Sequence, residues 1–502
     1  MGGDRHRCWG RPGRPGSTVR PEPVDEAPRR MSDTRPRGHQ REPQRGSPGG
    51  SQRGNRPRVD PARLAALDVM KAVRVDGAYT NLVLPSVLRQ HGLSGRDAAF
   101  VTELVSGTIR RRGTYDAILA ACVDRPLSKV EAKVLDALRL GTHQLLSMRV
   151  PVHAAISTTV DLVRAKVSSG AGGFANAVLR QVARQELTEW IARVAPDPRV
   201  APTRFASIAY SHPRWIVDEL RSAVGADELF ELLAADNEPP RVTLVARPGR
   251  SGREELPGEP TPYSPYGVVL GGGDPGEIPA VAEGRAGVQD EGSQLVAAAL
   301  AAAPIEGPDR RWLDLCAGPG GKSALLAALA AQRGARLVAA ERQEHRTRLV
   351  LRALRDAPGV AGIVTSDGTA PPFAEGTFDR VLVDAPCTGL GALRRRPEAR
   401  WRRRADDLLS LVLLQRRLLS SALDLVRPGG VVVYATCSPV ISETRGVVSS
   451  VLESRDDAEP GDTRSLLPAI PGCEGPMPGT VQLWPHRHGT DAMFLALLRR
   501  TA

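Results

Sequence analysis

Two cysteines lie in comparable surroundings: Cys387 in Val-Asp-Ala-Pro-Cys-Thr-Gly (383–389) and Cys437 in Tyr-Ala-Thr-Cys-Ser-Pro (434–439). Each follows a short β-type run, 380–383 and 431–434, so both thiols belong at strand ends. A glycine-rich turn, Asp-Leu-Cys-Ala-Gly-Pro-Gly-Gly-Lys (314–322), lies upstream. The thiolate is the reactive form of cysteine. Two of them beside a nucleotide-type cofactor turn point to covalent chemistry on an electron-poor ring, cytosine first among the candidates. Either cysteine alone reads as an inert buried residue, since free cysteine is commonly buried. Two strand-end cysteines in matching motifs argue against that reading.

The elements that must position these groups alternate strand and helix from residue 287 onward. Strands are expected at 312–316, 337–341, 362–366, 379–384 and 430–436, with a last one at 493–499. Helices fall between them, for example 322–332 and 406–426. This is the pattern of a doubly wound, Rossmann-like α/β domain, which binds ligands at the carboxyl edge of its sheet. The turn at 314–322 follows a strand and opens a helix, where glycines let backbone N–H groups approach a ligand closely. Glu341 ends the next strand, about 20 residues on, where a ribose-binding carboxylate belongs. Asp367, after the third strand, would face the adenine end. The turn is not a phosphate-binding loop: that pattern fits 316–323 only with cysteine in place of its first glycine. Its context argues for S-adenosylmethionine, with Cys316, Ala317, Gly318, Pro319, Gly320, Gly321, Lys322, Glu341, Arg346, Asp367 and Asp384 as candidate cofactor contacts.

The remaining chain divides by composition. Residues 1–57 are rich in Arg, Pro, Gly and Ser without apolar periodicity, a composition expected to stay disordered. This tail reads as a solvated extension or a loose RNA-binding arm, and Met31 is an alternative start. Residues 58–195 read as an all-α bundle. Asp60-Pro61 is a helix start, Ser94 with Asp97 a second, and Ser128-x-x-Glu131 a capping box. Residues 200–285 read as a small α+β connector: helices at 215–224 and 227–235, a strand at 241–245, then a glycine- and proline-rich stretch. Residues 286–502 form the α/β domain.

At 502 residues the chain exceeds one ordinary core. A net charge of +12 favours an anionic partner, although part of it sits in the tail. The six cysteines form no CxxC pair, so no metal site is expected and a reduced compartment fits better than a disulfide framework. No apolar run approaches a membrane span, and the basic N-terminus lacks the apolar segment of a secretory signal. The expected address is the cytoplasm, with no membrane partner.

Asp314–Lys322, Asp384-Ala-Pro-Cys387 and Thr436-Cys437-Ser438 resemble the RNA cytosine-5 methyltransferases, and Gln289-Asp-Glu-Gly-Ser-Gln294 matches the segment leading into their catalytic domain. The helical region resembles NusB, an RNA-binding fold. The combination is similar to the RsmB/Fmu/Sun family, which methylates 16S rRNA, and the resemblance covers roughly residue 58 to the C-terminus. It implies a partner in 16S rRNA or a small-subunit assembly intermediate, with cytosine 967 as the family's usual target. It also implies attack by Cys437, adduct stabilisation by Asp384, and proton loss and release assisted by Cys387. In the DNA cytosine-5 enzymes the Pro-Cys cysteine attacks instead, so the roles could be exchanged; Thr436-Cys437 favours the RNA assignment. The chain departs from the family at Gly318, where alanine is common, at 156–159, in the strand after Pro240, and at 491–494.

Arg394-Arg-Arg396 and Arg400-Trp-Arg-Arg-Arg404 follow the Cys387 motif directly. Such a run is ordinarily a solvated face; beside the site it suits phosphate contacts and stacking. Two rival functions stand beside rRNA methylation: a tRNA cytosine-5 methyltransferase, and a non-catalytic RNA-binding or antitermination factor that kept the fold. A monomer is the default.

Overall fold

The computed structural model describes residues 59–501. The 1–57 tail, with Cys8 and Met31, lies outside the described residues.

The N-terminal region is helical: α1 (Pro61–Val75), α2 (Thr80–Gln90), α3 (Gly95–Arg110), α4 (Arg112–Cys122), α5 (Ala132–Leu146), α6 (Val152–Lys166), α7 (Ser169–Val182) and α8 (Leu187–Val194). Asp60 caps α1, its carboxylate accepting from the Arg63 N–H, with Pro61 at the first helical position. Ser94 precedes α3, but its side chain makes no cap hydrogen bond. The capping box at Ser128 does not form. Residues Leu127–Lys129 make a short 3-10 turn, and α5 starts at Ala132 behind Glu131. Helix α2 is an element for which no helix was proposed, and Pro85 sits inside it. Leu104, Ile118, Leu138 and Leu179 are fully buried in the centre of this bundle.

Three helices follow: α9 (Pro202–Ala209), α10 (Arg214–Val224) and α11 (Leu229–Ala235). A four-stranded antiparallel sheet comes next, built from β1 (Thr243–Ala246), β2 (Glu259–Pro260), β3 (Gly267–Val269) and β4 (Ala286–Val288) in the order β2-β3-β1-β4. The short α12 (Pro279–Ala282) packs beside β4. Strand β4 carries this sheet past residue 285, to the start of the segment leading into the last region.

That region contains α13 (Glu291–Ala302), β5 (Arg311–Asp314), α14 (Gly321–Gln332), β6 (Arg336–Glu341), α15 (Glu344–Ala353), β7 (Val360–Thr365) and β8 (Phe378–Asp384). It continues through α16 (Ala399–Arg402), α17 (Asp407–Leu425), β9 (Val426–Thr436), α18 (Arg445–Leu452), β10 (Ala458–Pro460), β11 (Val481–Gln482), α19 (Pro485–His488) and β12 (Phe494–Arg500). The sheet order is β10-β12-β9-β8-β5-β6-β7. Strands β5 to β9 pair in parallel, and β12 adds antiparallel to β9. Successive strand residues alternate between two cores. Trp312, Leu382 and Val433 face one side with Leu295 of α13 and Leu325 of α14. Leu313, Val383 and Tyr434 face the other with Leu419 of α17 and Val447 of α18. Burial on both faces explains the near-continuous apolar runs of β8 and β9.

The arginine-rich segment after Cys387 divides: Arg394 and Arg400 are buried, whereas Arg396 and Arg404 are exposed. Arg400 is fully buried and donates to the carbonyl oxygens of Arg110, Ser211 and Asp236 and to Asn237 Oδ1. Trp401 Nε1 donates to the Ile109 carbonyl at 2.8 Å, Arg402 donates to the Ala78 carbonyl, and Thr80 Oγ1 donates to Glu398 at 2.9 Å. The segment therefore joins all three regions. Arginine suits the task because its planar fork offers five donors and stays charged.

Arg400→Ala strips the donor from those buried acceptors and is expected to cost about 3 kcal/mol of unfolding free energy. Chemical denaturation of the full chain checks this; an unchanged midpoint would show that the segment does not bind the regions together.

Candidate active site

Asp314, Glu341, Thr365, Asp384 and Thr436 end β5, β6, β7, β8 and β9 on one edge of the sheet. The order changes direction at β5, which has β6 on one side and β8 on the other. Open α/β sheets bind ligands outside such a switch point.

The glycine turn leaves β5 there. Gly320 adopts φ +109°, and a side chain on it would run into Ala353 of α15. Ser323 Oγ donates to Asp314 Oδ2 at 2.6 Å, tying the first turn of α14 to the end of β5. Burial pushes the Asp314 carboxyl up to about 7. Glu341 is buried and accepts from the backbone N–H groups of Gly318 at 3.0 Å and Gln343 at 2.9 Å. Arg346 lies 3.5 Å from the same carboxylate and donates to the Gly318 carbonyl at 2.5 Å. A Cβ at Gly318 would fall 2.2 Å from Glu341 Oε2, so glycine rather than alanine suits this arrangement. Asp367 accepts from the Thr369 N–H and hydroxyl, bonds that hold its carboxyl low. Cys316 is half-buried against the core on the α17 side, and burial keeps its thiol high.

The two cysteines meet. Cys387 Sγ lies 3.5 Å from Cys437 Sγ. Strands β8 and β9 are parallel neighbours, with Asp384 opposite Ala435, so both loops leave the sheet side by side. The Gly391 N–H donates to the Cys437 carbonyl at 2.9 Å, and a side chain at Gly391 would collide with the Ala492 carbonyl. The shared hydrogen bond lowers the Cys437 thiol against the opposing effect of burial, and the charges of Arg396 and Lys322 act in the same direction. The same bond, burial and the charges of Cys437 and Glu443 raise Cys387. Lys322 Nζ donates to Asp384 Oδ2 at 2.8 Å. Burial opposes the lysine charge, but the Asp384 carboxylate outweighs it and raises the Lys322 pKa.

Sequence reasoning missed two side chains in this site, Glu443 and Gln415. Glu443, fully buried, accepts hydrogen bonds from both cysteine loops. Gln415 of α17 donates to the Pro386 carbonyl, and Arg403 donates to the carbonyls of Cys387 and Thr388. Ser293 lies 3.3 Å from Lys322 Nζ. A lone acid in Ile-Ser-Glu-Thr or a glutamine within a helix carries no motif, so nothing in the sequence marked Glu443 or Gln415, whereas Arg403 and Ser293 lie in segments already singled out. Gln289 is buried with neither amide atom hydrogen-bonded, and a Cβ at Gly321 would lie 3.9 Å from it. An unpaired buried amide beside a glycine cradle and a strand-end acid fits a nucleoside-bearing cofactor. Among the described residues no group of His, Cys, Asp and Glu could hold a metal ion, and no helix is long and apolar enough to cross a membrane.

Comparison with known proteins gives this edge its context. Residues 300–499 match the family described as 16S rRNA methyltransferase RsmB/F, and residues 60–184 match the NusB family. A putative methyltransferase of Mycobacterium tuberculosis (strain H37Rv) is 52% identical over 88% of this chain and 97% of its own. A probable ribosomal RNA small subunit methyltransferase B of Bacillus subtilis is 30% identical over 87% of this chain and 98% of its own. The crystal structure of PH0851 shares the fold, with a TM-score of 0.72 and 23% identity over 88% of this chain and 99% of that one. With its NusB domain, its mixed methyltransferase sheet and this relationship along most of its length, the chain belongs to the RsmB/F family of S-adenosylmethionine-dependent RNA methyltransferases.

Proposed function

We propose that this protein methylates C5 of a cytosine in 16S rRNA through a covalent adduct between Cys437 and C6 of the ring. The observation that carries the reading is the 3.5 Å approach of two thiols with opposed pKa shifts, beside the Asp384–Lys322 pair. Cytosine C5 is a poor nucleophile. Addition of the Cys437 thiolate to C6 makes C5 enamine-like, which is the purpose of nucleophilic catalysis here. S-adenosylmethionine supplies the methyl group as an electrophile. Asp384 hydrogen-bonds the N3/N4 edge of the ring and is held in place by Lys322. Cys387 assists loss of the C5 proton to water, and the electron pair of the broken C5–H bond re-forms the C5=C6 double bond as the Cys437 sulfur leaves C6. Glu341 binds the ribose of the cofactor, the glycine turn lies along it, and Asp367 faces its adenine. The base must be single-stranded or flipped out to reach the thiols.

The names of relatives support ribosomal RNA of the small subunit as substrate, free or in an assembly intermediate. The cytosine 967 equivalent is the target we infer, in the cytoplasm and by a monomer. The exchanged assignment, with Cys387 attacking, is disfavoured by the Thr436-Cys437-Ser438 motif and by Lys322 and Arg396, whose charges favour the Cys437 thiolate.

Wild type, Cys437→Ser and Cys387→Ser are each incubated with 16S rRNA and S-adenosylmethionine and run on a denaturing gel. A methylated protein–RNA adduct is expected to accumulate with Cys387→Ser and to be absent with Cys437→Ser. An adduct that needs Cys387 and survives loss of Cys437 would reverse the roles. Glu341→Ala is expected to weaken S-adenosylmethionine binding on the order of 10- to 100-fold, the loss of hydrogen bonds to a charged group. Calorimetry that finds unchanged affinity would remove Glu341 from the cofactor site.

A further inference from the structure

Glu443 is the most heavily bonded buried acid beside the thiols, and it carries neither of the cysteine motifs. It lies five residues after Ser438 and is fully buried. Its Oε1 accepts from the Thr388 N–H at 2.8 Å and from Gln415 Nε2 at 3.0 Å. Its Oε2 accepts from Thr388 Oγ1 at 2.5 Å and from Ser438 Oγ at 2.6 Å. Two donors on each oxygen is the full acceptor capacity of an ionised carboxylate. Charge-assisted bonds of this kind are the strong ones.

The donors come from three places. Thr388 directly follows Cys387, Ser438 directly follows Cys437, and Gln415 belongs to α17. The Gln415 amide also donates to the Pro386 carbonyl, on the other side of Cys387. The Glu443 carbonyl accepts from Tyr434 Oη at 2.8 Å, which anchors the acid to β9. One carboxylate therefore fixes the residue after each thiol relative to the other. Thr388 Oγ1 also lies 3.1 Å from Ser438 Oγ, so the two loops touch where both meet the carboxylate. Its charge also acts on the thiols unequally, since it contributes to raising Cys387.

We propose that Glu443 is the positioning residue of the methyl transfer, clamping the Cys387 and Cys437 loops together so that the two sulfurs keep a fixed place relative to each other and to the reacting ring. The proposal rests on the cytosine-5 reading for its consequence in turnover, and on the geometry alone for its consequence in thiol reactivity. It places Glu443 behind the cysteines: it touches neither substrate nor cofactor and acts through the loops that carry the sulfurs.

The test separates these two levels. Glu443→Gln keeps the shape but turns one acceptor into a donor that faces N–H and O–H groups. Its kcat for rRNA methylation is expected to fall on the order of 100-fold, the scale of a small misplacement of reacting groups. Its affinity for S-adenosylmethionine should match wild type. The second readout needs no RNA. In a Cys437→Ser background, the pH midpoint for alkylation of Cys387 by iodoacetamide should move to lower pH when Glu443→Gln removes the negative charge. Wild-type kcat together with an unmoved midpoint would overturn the proposal. Should wild type itself produce no 5-methylcytosine, the functional reading fails, and the alkylation midpoint still decides the role of Glu443. If Glu443→Gln does not fold, as loss of S-adenosylmethionine binding would show, Ser438→Ala takes its place. That variant removes one bond on the Cys437 side; a lowered kcat with intact cofactor binding supports the clamp, and a wild-type kcat contradicts it.

Discussion

The parallel pairing of β8 and β9 is the constraint from which the rest of the site follows. Neighbouring strands lie about 4.8 Å apart, so residues leaving two adjacent carboxyl ends start almost within contact of each other. The register puts Asp384 opposite Ala435, and three residues later on one strand and two on the other the sulfurs are 3.5 Å apart. That pairing is set by the core. Val381, Leu382 and Val383 and their partners Val432, Val433 and Tyr434 are all fully buried, and a slip by one residue would turn every side chain to the wrong face. The energy that holds the thiols together is thus mostly the burial of a continuous apolar sheet, spent far from the sulfurs themselves.

On this frame the local polar bonds act as adjustments. Lys322 comes from the helix after β5, the other neighbour of β8, and fixes Asp384. Glu443 and Gln415 hold the loops from behind. The outer side is covered by α10 and α11, whose Ile216, Val217 and Leu233 pack with Leu390 and Leu393 after Cys387 and Val440 after Cys437. The segment from Arg394 to Arg404 then runs from the Cys387 loop into the helical region. Arg395 bridges Asp290 at 2.5 Å and Asp491 at 3.0 Å, and Arg400 and Trp401 reach the end of α3. The NusB domain is therefore fastened to the backbone that carries a thiol, and the helical and methyltransferase regions share one hydrogen-bonded segment.

What was legible in the sequence was the periodic and the punctuated. The strands of the catalytic sheet were readable from apolar runs ending in Asp, Cys and Thr, and α1 from Asp60-Pro61. The meeting of Cys387 and Cys437 could be expected only because both motifs sat at strand ends; their adjacency depends on strand order, which no local pattern encodes. Two kinds of feature escaped. Helix α2, with Pro85 inside it, carries no start signal of its own, and the Ser128 box lost to a 3-10 turn, because tertiary packing overrides weak local signals. The arginine run was readable only in part: charge pattern alone cannot distinguish an exposed guanidinium, like that of Arg396 or Arg404, from one, like Arg400, that is buried among carbonyl acceptors. Glu443 was invisible on the same ground, since its role lies in four donors drawn from three separate segments.

The account stands on where the methyl group goes. In the function proposed above, two thiols beside a carboxylate–lysine pair activate a ring carbon, whereas a methyl transfer to an amino group or a ribose hydroxyl would have no use for them. Nucleoside analysis by mass spectrometry of 16S rRNA after incubation with the protein and S-adenosylmethionine is therefore the most direct measurement. The account predicts 5-methylcytidine as the product; methylation at cytosine N4, at a ribose 2′-hydroxyl or on another base would contradict it.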